Sequence, residues 1–255
     1  KNVGLLIKLF CETFANKPTQ PSLILKISQG GTSYMDRDAI LKKIQHVKSI
    51  VKGKLPKIYL LHGEFTDEEM NELYNHPKVK AMVSLTKGEG FGRPLLEFTQ
   101  TKKPILTTNF SGHIDFLKSN MSSLVSGTLG NVHPSAANNW TIKESQWFDA
   151  NQEEVSKYLK IMFKKPNLFK EGARKQAYFC KTNYSFEMMK EKLGIILEEK
   201  AKASPQQMSL NLPKLKKVNN NTSQPQPLKL PKLKKIGETN TPPKIKLPKL
   251  KKVEA

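Results

Sequence analysis

Ser84–Glu97, SLTKGEGFGRPLLE, is the most informative segment of this 255-residue chain. A short apolar strand runs into a loop with three alternating glycines. Pro94 then stands in the first turn of a helix, where its missing N–H is no loss. Glycine lets the backbone take positive φ angles and approach a ligand closely. The loop therefore predicts free N–H groups and a positive helix end that face one point, which suits a phosphate or a polyhydroxylated ligand.

Two glutamates accompany this loop: Glu89 lies within it and Glu97 lies one turn into the helix. A carboxylate accepts hydrogen bonds from two vicinal hydroxyls at once, so two carboxylates can hold two sugar rings of one ligand. The phosphates of such a ligand would lie between them on the N–H groups. The loop is neither a Walker loop nor a dinucleotide fingerprint, because Arg93 stands where the last glycine of the fingerprint belongs. The glycines alone leave open a tight turn without a ligand.

Strand-like and helix-like segments alternate on both sides of this motif. The alternation predicts an α/β fold, a Rossmann-like parallel sheet with helices on both faces. Thr66 and Glu69 predict a capping box, and Asp36 is the predicted cap of a helix that Gly53 ends. The Asp-x-Asp motif at Asp36–Asp38 is therefore interpreted as a helix start and not as a metal site. The predicted strands are Ser22–Ile27, Lys57–Leu61, Ala81–Leu85 and Pro104–Thr108, and the predicted helices include Asn2–Ala15, Asn151–Phe163 and Phe186–Leu197.

The stretch Glu89–Glu97, EGFGRPLLE, resembles the donor-site signature of the retaining group 1 glycosyltransferases, which have the GT-B fold. The resemblance extends through most of residues 1–200. It includes KNVGLL at the start, LHGEF from Leu61, KPILTT from Lys103 and SGHIDF from Ser111. It implies that residues 1–200 form the C-terminal, nucleotide-sugar-binding half of a GT-B fold, with the first strand and the N-terminal lobe missing.

The resemblance also implies a role for each matching residue. Glu89 would be the catalytic residue, since the first signature glutamate contacts hydroxyls of the transferred sugar. The backbone of Gly90, Phe91 and Gly92 would bind the sugar and the distal phosphate, and Glu97 the ribose hydroxyls. The other predicted donor-binding residues are Lys1 at the diphosphate, Glu64 and Phe65 at the nucleobase, and Arg93, which faces either the diphosphate or solvent.

The implied reaction is transfer of a hexose from a nucleoside diphosphate sugar to a hydroxyl acceptor on a glycan, lipid or protein, with retention. Backbone dipoles and cations would stabilise the departing diphosphate, so we expect no metal ion and no cofactor besides the donor. His113, near the predicted carboxyl edge of the sheet, is a further candidate for substrate contact. The 255 residues alone should bind donor without turning it over. The alternative is a non-catalytic nucleotide-sugar-binding or scaffold protein, tethered through its tail.

Residues 201–255 differ sharply in charge from the rest of the chain. The chain carries a net charge of +21, and this segment holds 13 lysines against 2 acidic residues. It repeats LPKLKKV, LPKLKKI and LPKLKKV from Leu212, Leu230 and Leu247. A proline in every repeat and too few apolar groups predict a disordered tail, which we expect to bind an acidic protein or an anionic membrane surface. Lysines without interleaved aromatic residues argue against specific nucleic-acid binding.

Composition excludes two further classes of protein. Two cysteines cannot build a disulfide framework. No apolar run approaches the roughly 18 residues that a membrane span needs. We therefore expect a cytoplasmic protein, with the basic tail as its candidate contact to a membrane surface.

Overall fold

Helices and strands alternate along the chain, as the α/β class predicts. The computed structural model describes residues 2–28, 30–136 and 144–203, except the side chains of residues 135, 202 and 203. In chain order its principal elements are α1 (Val3–Phe14), β1 (Leu23–Lys26), α2 (Tyr34–Ile50), β2 (Ile58–Leu61), α3 (Asp67–Asn75), β3 (Met82–Ser84), α4 (Arg93–Thr99), β4 (Ile105–Thr108), β5 (Ser123–Val125), β6 (Gly127–Asn131), β7 (Gln146–Ala150), α5 (Gln152–Lys164), α6 (Lys170–Asn183) and α7 (Phe186–Ala203). Lys1 and the tail from residue 204 lie outside the described residues. The predicted domain boundary at residue 200 stays a prediction.

The strands form parallel ladders, as predicted, but not one continuous sheet. Strands β1 and β2 pair in parallel, with Leu23 opposite Ile58. Strands β3, β4 and β5 form a second parallel ladder with β4 in the middle, where Ser84 lies opposite Thr107. Strands β6 and β7 form an antiparallel hairpin, which the sequence did not indicate. Parallel pairing places the carboxyl ends of β3 and β4 side by side.

Two apolar cores anchor the helices around these ladders. Helix α1 buries Leu6, Leu9 and Phe10 in a core shared with β1, α2 and α5. A second core surrounds α4 and α6, and there Leu95 and Phe98 are at most 2% exposed. Burying each such side chain contributes about 1.5–3 kcal/mol. The second core therefore holds α4, the helix that follows the glycine-rich loop, in place.

The helix starts confirm one predicted cap and correct another. The capping box of α3 is present: the Thr66 hydroxyl accepts from the Glu69 N–H at 3.2 Å, and the Glu69 carboxylate accepts from the Thr66 N–H at 2.8 Å. Asp36 does not cap α2, because Ser33 takes that place and accepts from the Asp36 N–H at 3.2 Å. Asp36 lies in the first turn, with Oδ2 2.8 Å from Nε2 of His62.

Candidate active site

The candidate site lies where β3 and β4 end. The glycine-rich loop, Leu85–Gly92, follows β3, and a second loop, Asn109–Ser111, follows β4. Because the two strands are parallel neighbours, both loops leave the same edge of the ladder. Ligands of open α/β sheets bind outside the carboxyl ends of the strands. The glycine-rich loop thus lies at the edge where ligands of such sheets bind.

Two hydrogen bonds join these loops through the backbone of Glu89. The Glu89 N–H donates to the Ser111 hydroxyl at 2.7 Å, and the Gly112 N–H donates to the Glu89 carbonyl at 3.0 Å. The contact is so close that a Cβ on Gly112 would overlap the carbonyl oxygen of Gly90. Both backbone groups of the predicted catalytic residue are therefore held by Ser111 and Gly112, at the end of the second loop.

A buried polar network supports the loops from below. The Thr108 hydroxyl donates to the Thr86 carbonyl at 3.0 Å, and Nε2 of His113 lies 2.6 Å from the Thr108 carbonyl. All three residues are at most 1% exposed. The second ring nitrogen of His113, Nδ1, is also buried and has no hydrogen-bond partner in the described part of the chain. His113, a candidate for substrate contact, is instead covered by protein and bonds to Thr108, whose hydroxyl in turn joins the two segments.

The glycine-rich loop itself offers donors to a ligand. Within the described ranges, the backbone N–H groups of Gly90, Phe91 and Gly92 donate to no protein acceptor. Gly92 has φ +88°, a left-handed conformation that favours glycine, and α4 begins directly after it, at Arg93 and not at Pro94. A Cβ on Gly90 would meet open space, so packing does not explain that glycine. A ligand that comes close to the backbone would explain it.

Glu97 lies on α4 and is paired with Arg93. Nε of Arg93 is 3.0 Å from Oε1 of Glu97, and the two side chains are 80% and 43% exposed. Such an exposed pair on one helix contributes little to stability and separates readily. Burial raises the pKa of the nearby Tyr74 hydroxyl, and the Glu97 carboxylate raises it further. The side chains of Arg93 and Glu97 are therefore both available to a ligand at the start of α4.

The residues predicted to line the nucleobase follow β2. Glu64 is exposed and Phe65 is half-buried. Lys26, at the end of β1, donates from Nζ to the Gly63 carbonyl at 2.8 Å, and the same Nζ lies 4.8 Å from the centre of the Phe65 ring. Glu64 and Phe65 thus lie in a loop that extends from the β1–β2 ladder. Glu89 and Glu97 instead follow β3, in the β3–β5 ladder. Lys1 lies outside the described residues, so its predicted role stays a prediction.

The hairpin of β6 and β7 packs against the base of the glycine-rich loop. The Phe148 N–H donates to the Lys87 carbonyl at 3.1 Å, and Nζ of Lys87 lies 4.2 Å from the centre of the Trp147 ring. The rings of Phe148 and Phe110 stack at 5.1 Å with a 4° interplanar angle. The sequence did not reveal these contacts, because they join segments about 40–60 residues apart with no shared motif.

Neither a metal cluster nor a membrane-spanning helix occurs in residues 2–28, 30–136 and 144–203. No group of three His, Cys, Asp or Glu side chains there could hold a metal ion. No helix of that part is long and apolar enough to cross a membrane. The expected independence of a metal stays a prediction, because a donor diphosphate can bind its own Mg²⁺.

Solved structures with the same fold include several glycosyltransferases. The C-terminal domain of a group 1 family glycosyltransferase from Francisella tularensis matches with a TM-score of 0.50 and 17% identity, over 73% of this chain and 80% of that one. An Anabaena protein solved in complex with UDP and glucose matches with a TM-score of 0.52 and 11% identity, over 78% and 44%. Sucrose-phosphate synthase from Thermosynechococcus elongatus matches with a TM-score of 0.54 and 13% identity, over 80% and 43%.

These matches confirm the predicted fold: the chain has the architecture of the C-terminal domain of a GT-B glycosyltransferase. The chain spans less than half the length of the Anabaena and Thermosynechococcus proteins. No protein-family model and no curated protein matches the sequence.

Proposed function

We propose that this chain, which has the fold of a GT-B C-terminal domain, binds a nucleoside diphosphate sugar and serves the transfer of its hexose to a hydroxyl acceptor. The observation that carries the proposal is the pair of joined loops at the carboxyl ends of β3 and β4. Within Glu89–Gly92 a carboxylate adjoins three N–H groups that donate to no acceptor in the described part of the chain. The Anabaena protein was solved with UDP and glucose, the two parts of such a donor.

Each part of the donor has a proposed partner. The N–H groups of Gly90, Phe91 and Gly92 bind the distal phosphate and the sugar, and the Glu89 carboxylate accepts from hydroxyls of the sugar. Glu97 exchanges its ion pair with Arg93 for the two ribose hydroxyls, which frees the guanidinium for the diphosphate. These dipoles and cations, with Lys1, stabilise the charge of the departing diphosphate, so transfer needs no metal ion. The sugar keeps its anomeric configuration.

The nucleobase site is the second part of the proposal. Lys26 lies over one face of the Phe65 ring and at the same time holds the Gly63 carbonyl, so the loop after β2 has a defined shape. The Phe65 ring, held in place beside the exposed Glu64 carboxylate, suits a nucleobase, which offers both a ring face and N–H donors.

Replacing Glu97 with alanine tests the assignment of the ribose. We expect Glu97→Ala to cost about 1.5–3 kcal/mol of nucleoside diphosphate binding, because a charge-assisted pair of hydrogen bonds is lost. This corresponds to roughly tenfold to hundredfold weaker affinity. Calorimetric titration with UDP, GDP and ADP measures it.

The matched control for this variant is Glu171→Ala. It removes a comparable exposed helical pair, Glu171–Lys175 at 2.7 Å, from α6. Its affinity for each diphosphate should equal that of the unchanged protein. If both variants bind equally well, Glu97 does not hold the ribose.

The lysine-rich repeats are proposed to tether the protein to an anionic membrane surface or an acidic protein. Three copies joined by linkers of about ten residues can engage together, so avidity exceeds the affinity of one copy. We expect removal of residues 205–255 to leave diphosphate binding unchanged. Retention on phosphatidylserine vesicles should fall about tenfold or more with each repeat removed. Scrambled repeats of equal charge are the control, and equal retention by them would reduce the tail to its charge.

A further inference from the structure

Ser111 has a backbone conformation that serine rarely adopts. Its φ is +72° and its ψ is −165°, a region that is essentially restricted to glycine. The other non-glycine residues with positive φ in the described ranges are Asn16 at +57° and Lys102 at +59°. Serine at position 111 is therefore strained, although a glycine there would carry no such strain.

The side chain of Ser111 explains why the strain is tolerated. Its hydroxyl accepts the Glu89 N–H at 2.7 Å, across 22 residues of sequence. A glycine would relieve the backbone and leave this N–H without its acceptor. The next residue, Gly112, donates its N–H to the Glu89 carbonyl at 3.0 Å, so the two bonds fix the peptide units on both sides of the Glu89 Cα. Strain that persists at one position next to a candidate active site indicates a task for that residue.

We propose that Ser111 is a positioning residue for Glu89. Its hydroxyl fixes the Glu89 backbone before the donor binds. The Glu89 carboxylate can therefore bind the hydroxyls of the donor sugar without a further loss of conformational entropy in the glycine-rich loop. The inference rests on the proposed function, in which Glu89 binds the transferred hexose. It assigns to Ser111 no contact with the donor, the base or the diphosphate.

Two substitutions at this position separate the hydroxyl from the strain. Ser111→Gly removes both, and Ser111→Ala removes only the hydroxyl. Lys102→Gly is the matched control, because it relieves a positive φ at an exposed turn after α4. Three quantities are measured on each variant: the exchange rate of the Glu89 amide by NMR, Tm, and the affinities for UDP-glucose, GDP-mannose and ADP-glucose with their free diphosphates.

The expected changes in Tm differ from the expected changes in Glu89 amide exchange and donor affinity. Both variants at Ser111 should speed exchange of the Glu89 amide about five- to tenfold, as the loss of one hydrogen bond predicts. The intrinsic exchange rate of Glu89 is unaffected, because the substitution is far away in sequence. Tm should stay level or rise in Ser111→Gly and Lys102→Gly, and fall by about 2–4 °C in Ser111→Ala. Affinity for the nucleotide sugar should fall about fivefold in both variants at Ser111, with diphosphate affinity unchanged.

A purely structural role makes a different prediction. Donor affinity would then follow Tm, and Ser111→Gly would bind the nucleotide sugar as well as the unchanged protein does. That result, or a Glu89 amide that stays equally protected in Ser111→Gly, overturns the proposal. If the unchanged protein binds none of the three nucleotide sugars, the proposed function fails. Amide exchange still decides in that case whether Ser111 fixes Glu89.

Discussion

Gly112→Ala should abolish detectable binding of the nucleotide donor and lower Tm. An added Cβ would overlap the Gly90 carbonyl group and lie 3.1 Å from the Glu89 carbonyl oxygen. These atoms belong to the backbone, so they cannot rotate away as the end of a side chain could. The two loops must separate, and the hydrogen bond from Gly112 to Glu89 breaks. In catalysis, a misplacement of about 1 Å costs about a hundredfold in rate, and we expect a loss of donor affinity of at least that size. Overpacking costs about 1–3 kcal/mol of stability.

Two other glycines provide controls for this variant. Gly194 lies in α7 with open space around it, so Gly194→Ala should leave diphosphate binding unchanged and Tm equal or higher. Gly90 also faces open space, so Gly90→Ala should keep Tm and weaken diphosphate binding, because the new methyl group occupies the ligand's place. Calorimetry and thermal unfolding measure both effects. If Gly112→Ala binds diphosphate normally, the joined loops are not the donor site.

The glycine-rich segment could be predicted from sequence because its signals are local. An apolar strand, alternating glycines and a proline in the first helical turn all lie within Ser84–Glu97, and each is a direct backbone preference. Helix α5 is similar, since Asn151 caps it and accepts from two N–H groups of its first turn. The cap of α2 differs from the predicted one because Ser33 and Asp36 are both good capping residues three positions apart. Sequence alone does not choose between them.

The elements that the sequence does not predict have no strong hydrophobic periodicity. Helix α6 buries small or polar residues, and Gln176 is its clearest example: its amide donates to the Phe116 carbonyl at 2.6 Å and accepts from the Lys118 N–H at 2.9 Å. A glutamine in the core gives no hydrophobic signal, since the stabilising partners come from another segment. Strands β6 and β7 bury few side chains, and their pairing brings together distant stretches.

The candidate site shows the same limit. The sequence indicated which residues of the glycine-rich loop carry donors and carboxylates, and the fold that it predicted is confirmed. The bond from Glu89 to Ser111 joins two loops 22 residues apart, and no local pattern encodes it. The sequence shows only that a serine, Ser111, precedes Gly112. The positive φ of Ser111 becomes visible only in the structure.

Glu89→Ala should separate the two halves of the donor. We expect affinity for the nucleotide sugar to fall about tenfold to a hundredfold, because two charge-assisted hydrogen bonds to sugar hydroxyls are lost. Affinity for the free diphosphate should stay within about twofold, since the backbone N–H groups that bind it remain in place. Glu89→Gln keeps the volume of the side chain and removes its charge, so it should show a smaller loss of the same kind.

The contrast with Glu97 makes this prediction decisive. A carboxylate that holds the ribose touches both ligands, so Glu97→Ala should weaken nucleotide sugar and diphosphate alike. A carboxylate that holds only the hexose weakens one of them. The backbone of Glu89 is fixed by Ser111 and Gly112, so removal of its side chain leaves both loop-joining bonds in place. Equal losses for both ligands in Glu89→Ala would place this residue on the nucleotide and reverse the proposed orientation of the donor in the site.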